Sequence, residues 1–219
     1  MQSSGPAGAA RRALVAVLAG GKGTRLGGAK AQVPLAGRPL ISYPLLAARD
    51  AGLQAVVVAK QGTPLPRIDE EVVIEPDAPS HPLCGVLAAL AFARRRSGEG
   101  ADDSLTAVLT VGCDMPFLTG ALLAWLAGLD GPLVVEAAGR LQPVLARYTL
   151  ATAATLDDAL HERRSLAEAC VLAGCRVVAE EELRPYGDPR RLCFNVNDQA
   201  DVALADAWLG SSAGSGAGG

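Results

Sequence analysis

Thirteen consecutive residues, Leu18-Ala-Gly-Gly-Lys-Gly-Thr-Arg-Leu-Gly-Gly-Ala-Lys30, put five glycines and three cations into one stretch. Glycine lets backbone N–H groups turn toward one centre and lets a ligand come close. Lys22, Arg25 and Lys30 add charge where a polyanion would lie. The apolar run Ala13–Ala19 leads in, so the stretch reads as a phosphate seat after a buried strand. A flexible surface loop is the plainer alternative. Two familiar phosphate loops do not fit. Gly23 follows Lys22 where a P-loop carries Ser or Thr, and Ala16 stands where its first glycine belongs. In the dinucleotide fingerprint the third glycine would fall on Leu26.

Further along, Asp114 follows the apolar run Leu105–Val111 and precedes Pro116, which puts it on a turn at the end of a strand. One carboxylate there can hold Mg²⁺, which needs few protein oxygens beside phosphate oxygens, or it can cap the turn. Asn195 and Asn197 alternate in Leu192-Cys-Phe-Asn-Val-Asn197, so an extended segment points both to one side. Their amides suit a metal shell or an acceptor phosphate, or they close the turn into the last helix. Asp77 follows a short apolar run and could accept from a base or ribose, or face solvent. His81 and His161 are the chain's histidines; loop and solvated positions suit them, and neither forms a nucleophilic pair with Ser or Cys. Cys113 reads as a small apolar side chain. A site with no general base favours an acceptor that is already an anion, such as a phosphomonoester.

These groups need a scaffold. Short apolar runs alternate with helical patterns, predicting an α/β fold: a single Rossmann-like three-layer αβα domain with a mostly parallel sheet. Strands are expected at 13–19, 55–59, 71–75, 105–111, 133–136, 142–149, 176–179 and 192–197. Helices are expected near 39–51, from Pro82 to Arg96, after Thr119, near 150–161, near 165–173 behind a Ser165/Glu168 capping box, and from Asp198 through Trp208. The domain is expected over 13–209, with 1–12 and the Gly/Ser/Ala tail 210–219 lacking fixed structure.

The 219 residues suffice for one substantial core, built from Ala, Leu and Val because aromatics make up only 4%. A net charge of −3 argues against a nucleic-acid partner. No apolar run reaches the ~18 residues of a membrane span, and the first ten residues lack a signal-peptide apolar stretch. Five cysteines without a C-x-x-C pair make a zinc site or disulfide framework a poor fit, and a cytoplasmic setting is expected.

The loop's pattern, Leu-Ala-Gly-Gly-x-x-x-Arg-x-Gly-x-x-Lys, resembles the signature of nucleotidyltransferases that join an NMP to a phosphorylated acceptor. Together with Pro82-Leu-Cys-Gly85, Cys113-Asp-Met-Pro-Phe-Leu118, Gly139-Arg-Leu-Gln-Pro-Val144 and Phe194-Asn-Val-Asn-Asp198, it is similar to the bacterial molybdenum cofactor guanylyltransferases over roughly Leu14 to Leu209. That resemblance implies GTP and molybdopterin as substrates and Mg²⁺ as cofactor, with molybdoenzyme or cofactor-biosynthesis partners. It implies nucleotide binding at Leu18, Ala19, Gly20, Gly21, Lys30 and Asp114, to which Asp77 is added as the candidate base or ribose acceptor. It further implies Arg25 and Lys30 as charge-neutralising catalytic cations, Asp114 as metal ligand and catalytic group, and Asn195 and Asn197 at the acceptor. Three departures stand out: Ala29 where Asp usually precedes the lysine, His81 where Gly usually precedes Pro82, and Asp198-Gln199 in place of Thr-Pro. A relative using CTP or another phosphorylated acceptor, and a degenerate binding protein, are the alternatives.

Overall fold

The computed structural model describes residues 13–21, 24–98 and 105–214. The N-terminal 1–12, Lys22, Gly23, residues 99–104 and the last five residues of the tail lie outside them. Among the described residues nine strands form: β1 (Ala13–Leu18), β2 (Pro34–Leu35), β3 (Arg38–Pro39), β4 (Ala55–Lys60), β5 (Glu71–Glu75), β6 (Ala107–Gly112), β7 (Leu133–Ala137), β8 (Arg140–Thr149) and β9 (Arg176–Val178). Seven make one sheet in the order β5-β4-β1-β6-β8-β7-β9, while β2 and β3 pair as a separate small hairpin. Within that sheet β8 runs antiparallel to both its neighbours; β5, β4, β1 and β6 are parallel throughout, as are β7 and β9.

The helices are α1 (Ser42–Asp50), α2 (Pro82–Gly98), α3 (Gly120–Gly128), α4 (Ala153–His161), α5 (Leu166–Leu172), α6 (Glu180–Leu183), α7 (Pro189–Leu192) and α8 (Gln199–Gly214). Alternation along β1 explains the layers. Ala13, Val15 and Val17 face one core with α1 and α3 residues such as Leu45, Leu122 and Leu126. Leu14 and Ala16 face a second core with Leu83, Val86 and Leu90 of α2. A third cluster, with Leu35, Phe117, Val196 and Val202, joins the hairpin to α8.

Helix starts follow local chemistry. The Thr119 hydroxyl accepts from the Leu122 N–H at 3.2 Å, and Ser165 and Glu168 form the reciprocal capping box at the head of α5. Asp198 Oδ1 accepts from the N–H groups of Ala200 and Asp201, capping α8. Pro44 falls in the first turn of α1, where a missing N–H is harmless.

Two expectations are corrected. Residues 192–197 are not a strand: α7 ends at Leu192 and an irregular segment follows. The alternating apolar pattern imitates a strand, but Phe194 N–H bonds back to the Arg191 carbonyl at 3.1 Å and no ladder forms. The last helix also passes the expected end at Trp208 and the expected start of the tail, reaching Gly214.

Candidate active site

From β1 the chain crosses to β4 on one side and later reaches β6 on the other, so a crevice opens beyond the carboxyl ends of β1 and β6. A cavity of about 250 Å³ lies there. Its apolar walls are Leu18, Val58, Pro82 and Val144; its backbone floor is Gly20, Gly21 and Gly112.

The loop's entry is fixed by the sheet. Ala19 N–H donates to the Val58 carbonyl at 2.8 Å, and Cys113 N–H donates to the Leu18 carbonyl at 3.1 Å. Ala19 is buried and its amide is engaged, so it anchors the loop and does not line the cavity. Gly20 and Gly21 do line it. Arg25 sits on the short 3₁₀ turn Thr24–Leu26, outside the cavity wall.

Lys30 opens a second 3₁₀ turn, Lys30–Gln32, preceded by Ala29 with no side-chain cap. Its ammonium donates to Asp114 Oδ2 at 2.5 Å and to Asn197 Oδ1 at 2.9 Å. The Lys30 and Asp114 side chains are 15% and 18% exposed, enough shielding to strengthen a charge-assisted bond. Three distant segments therefore meet on one ammonium.

Asp114 sits on the turn after β6, where Met115 N–H bonds the Gly112 carbonyl at 3.3 Å. A β-carbon on Gly112 would stand 2.2 Å from Asp114 Oδ1, so glycine is what lets the carboxylate lie over the strand end. The Asp114 carbonyl accepts from Val196 N–H at 2.9 Å, tying the 193–197 segment to this turn. Val196 is fully buried in the cluster that Phe117, Phe194 and Trp208 join, their rings tilted or edge-on to one another. Asn197 is thereby aimed at Lys30. Asn195 is not brought to the same place: its amide donates to the Cys193 carbonyl at 2.9 Å.

Two charged residues that sequence reasoning passed over line the cavity: Glu75 and Lys60. Glu75 ends β5 and is only 7% exposed. Its carboxylate lies between two glycines, since a β-carbon on Gly20 would meet Oε1 at 1.7 Å and one on Gly85 would meet Oε2 at 2.9 Å. Burial pushes the carboxyl above the ordinary range; Lys60 pulls it down and Asp77 adds to the rise. The signal was alternation: Glu75 shares its strand face with buried Val73. Asp77 itself is exposed and does not reach the cavity; its backbone carbonyl accepts from Lys60 Nζ at 2.9 Å.

His81 does two things. Its Nδ1 accepts from Leu83 N–H at 3.2 Å, capping α2, and its ring forms part of the cavity wall. His161 is solvated, with Nδ1 2.8 Å from the Asp157 carbonyl oxygen. Burial pushes the Cys113 thiol up to about 12, which suits a packing role and no nucleophilic one.

Backbone amides, a lysine and a carboxylate at the end of a parallel sheet suit the transfer of a phosphoryl-linked group. A family model described as MobA-like NTP transferase domain matches residues 15–181. The chain belongs to that family. It is a nucleotidyltransferase. A molybdenum cofactor guanylyltransferase of Cereibacter sphaeroides is 34% identical to this transferase over 206 residues, covering 88% of the chain and 95% of that protein. The molybdopterin-guanine dinucleotide biosynthesis protein A of Archaeoglobus fulgidus superposes with a TM-score of 0.72 at 24% identity, over 90% of this chain and 99% of that one. The 2-C-methyl-D-erythritol 4-phosphate cytidylyltransferase of Thermus thermophilus does so with a TM-score of 0.62 at 20% identity, over 90% and 98%. Both likenesses are of fold. Because the second is a cytidylyltransferase, the fold leaves the base to the cavity's side chains. Among the described residues no helix is long and apolar enough to cross a membrane.

Proposed function

We propose that this transferase moves GMP from GTP to the terminal phosphate of molybdopterin. An acceptor phosphate oxygen forms a bond to the α-phosphorus, the bond from that phosphorus to the β-bridging oxygen breaks, and pyrophosphate leaves with the electron pair. The observation that carries this reading is the Lys30 ammonium held between Asp114 and Asn197. It stands where triphosphate and acceptor phosphate would meet, and needs only to neutralise and position charge. Gly20 and Gly21 supply backbone to the phosphates, and Arg25 closes on the triphosphate from outside the cavity wall. Asn197 faces the acceptor; Asn195 supports its segment.

Asp114 fits a Mg²⁺ ion. Among the described residues no group of three or more His, Cys, Asp or Glu gathers around a metal. A single hard carboxylate beside a phosphate seat suits an ion that takes most of its oxygens from phosphates and water. Bound there, Mg²⁺ would offset negative charge on the phosphates. The setting is the cytoplasm, where nucleotide and cofactor precursor are available.

Guanine is favoured by Glu75. Its carboxylate can accept from guanine N1–H and N2–H together, whereas cytosine offers a single amino donor, at N4, beside the N3 and O2 acceptors. The cytidylyl reading lacks such an observation. A thermal-unfolding panel of GTP, CTP, ATP and UTP, each with and without Mg²⁺, tests the assignment. Stabilisation confined to GTP with Mg²⁺ is expected. A response to CTP in its place would overturn the base assignment, and none to any nucleotide would favour a degenerate binding protein.

A further inference from the structure

One side of the cavity is lined by a cross-strand pair of opposite charges. In the β4–β5 ladder Val58 stands opposite Val73, and two residues on Lys60 stands opposite Glu75. The alternation of a strand therefore places an apolar pair beneath and a charged pair above, all on one face. Lys60 and Glu75 both line the cavity. They are close enough for Lys60 to favour the ionised form of Glu75, yet no ion pair closes between them among the described residues. The ammonium turns instead to the Asp77 carbonyl, 2.9 Å away. An ammonium carries three donors, so that bond fixes the group while leaving others for a ligand.

We propose that Lys60 is a specificity-determining residue that donates to the 6-oxo group of the purine while Glu75 accepts from N1–H and N2–H. This rests on the guanine reading above and extends it. The pair offers donor then acceptor along one side of the cavity, and the guanine edge presents acceptor, donor, donor in that order. Adenine presents the reverse, with its 6-amino group against the ammonium and bare N1 against the carboxylate. Xanthine keeps the 6-oxo group but sets a 2-oxo group against Glu75. In the orientation guanine takes, neither base satisfies both side chains, and leaving polar groups unpaired is how such a site rejects a near neighbour. Lys60 thus acts on the base edge, in contrast to a cation that only attracts triphosphate.

The test is calorimetric titration of the full chain with Mg²⁺ and GTP, 6-thio-GTP, ATP or CTP. 6-Thio-GTP keeps both N–H donors and replaces only the oxygen with a weak acceptor. Wild type should bind GTP about 10–100-fold more tightly than 6-thio-GTP, as for a hydrogen bond to a charged group. Lys60→Met, which keeps the apolar stem, should weaken GTP by a similar factor and erase the difference between the two. Lys60→Arg, which restores a cationic donor, should recover part of it and guards against misfolding of the first variant. Equal losses for GTP and 6-thio-GTP in Lys60→Met would mean a cation for the triphosphate only and would overturn the proposal. Wild type that prefers GTP over CTP with Lys60→Met unchanged defeats this inference alone; wild type that prefers CTP defeats the guanine reading and this with it.

Discussion

Lys30 Nζ lies 2.5 Å from Asp114 Oδ2 across a separation of 84 residues, joining the end of the Gly-rich loop to the turn after β6. The same ammonium holds Asn197 at 2.9 Å, so one side chain links what we read as the triphosphate seat and the acceptor seat. Lys30→Ala should lower kcat on the order of 100–1000-fold, the cost of losing a transition-state charge partner. Asp114→Ala should abolish turnover. Steady-state rates check both, and near-normal turnover in either variant would contradict the placement.

Gly112 and Gly21 separate two uses of glycine. A β-carbon at 112 would collide with Asp114 Oδ1 at 2.2 Å, whereas among the described residues beyond its chain neighbours one at 21 meets no atom within 4 Å. Gly112→Ala should displace the carboxylate and cut turnover strongly even at saturating GTP. Gly21→Ala should leave the melting temperature unchanged and weaken GTP binding, because the new methyl projects into the nucleotide's space. Tm and KM measured side by side distinguish the two.

Glu75 and Gly20 should be coupled. Gly20→Ala drives a methyl into Oε1, so the buried carboxylate must give up its place against the loop. The substitution should destabilise wild type clearly and Glu75→Ala protein much less. A double-mutant cycle in urea reads this as a non-additive term. Additive losses would show that the carboxylate swings away freely.

The pH dependence follows from the same carboxylate. Burial, chiefly, raises Glu75 above the ordinary carboxylate range, against the pull of Lys60. Accepting from guanine requires the ionised form, so GTP affinity should fall with acidification beginning above the usual glutamate range. Stability runs the opposite way. A carboxyl whose folded value is raised stabilises the fold below its unfolded value and loses that contribution as pH rises through its folded value. Glu75→Gln should therefore raise Tm near neutral pH while weakening GTP about 10–100-fold. Calorimetry across pH 5–8 checks the first part and thermal unfolding the second.

What was legible from sequence was local. The strand at 71–75, the Thr119 cap and the Ser165/Glu168 box depend on neighbours within a few residues, and each stands where expected. Lys30 and Asp114 were legible as chemical types, but their contact was not, because it is made by the sheet. Glu75 and Lys60 stand at strand ends, where charge is ordinary; the β4–β5 register and the two facing glycines give them a role. The 192–197 segment misled for a related reason. Alternation marks a strand only where a partner ladder exists, and here the aromatic packing of Phe194 and the burial of Val196 generate the pattern.

The most direct measurement of the central claim is pyrophosphate release by the purified chain with molybdopterin, Mg²⁺ and either GTP or CTP, with the dinucleotide product identified by mass. Release equal to the molybdopterin consumed, with GTP and not CTP, and lost in Asp114→Ala, is the predicted result. Release with CTP alone, or release with GTP that Asp114→Ala leaves intact, would contradict it.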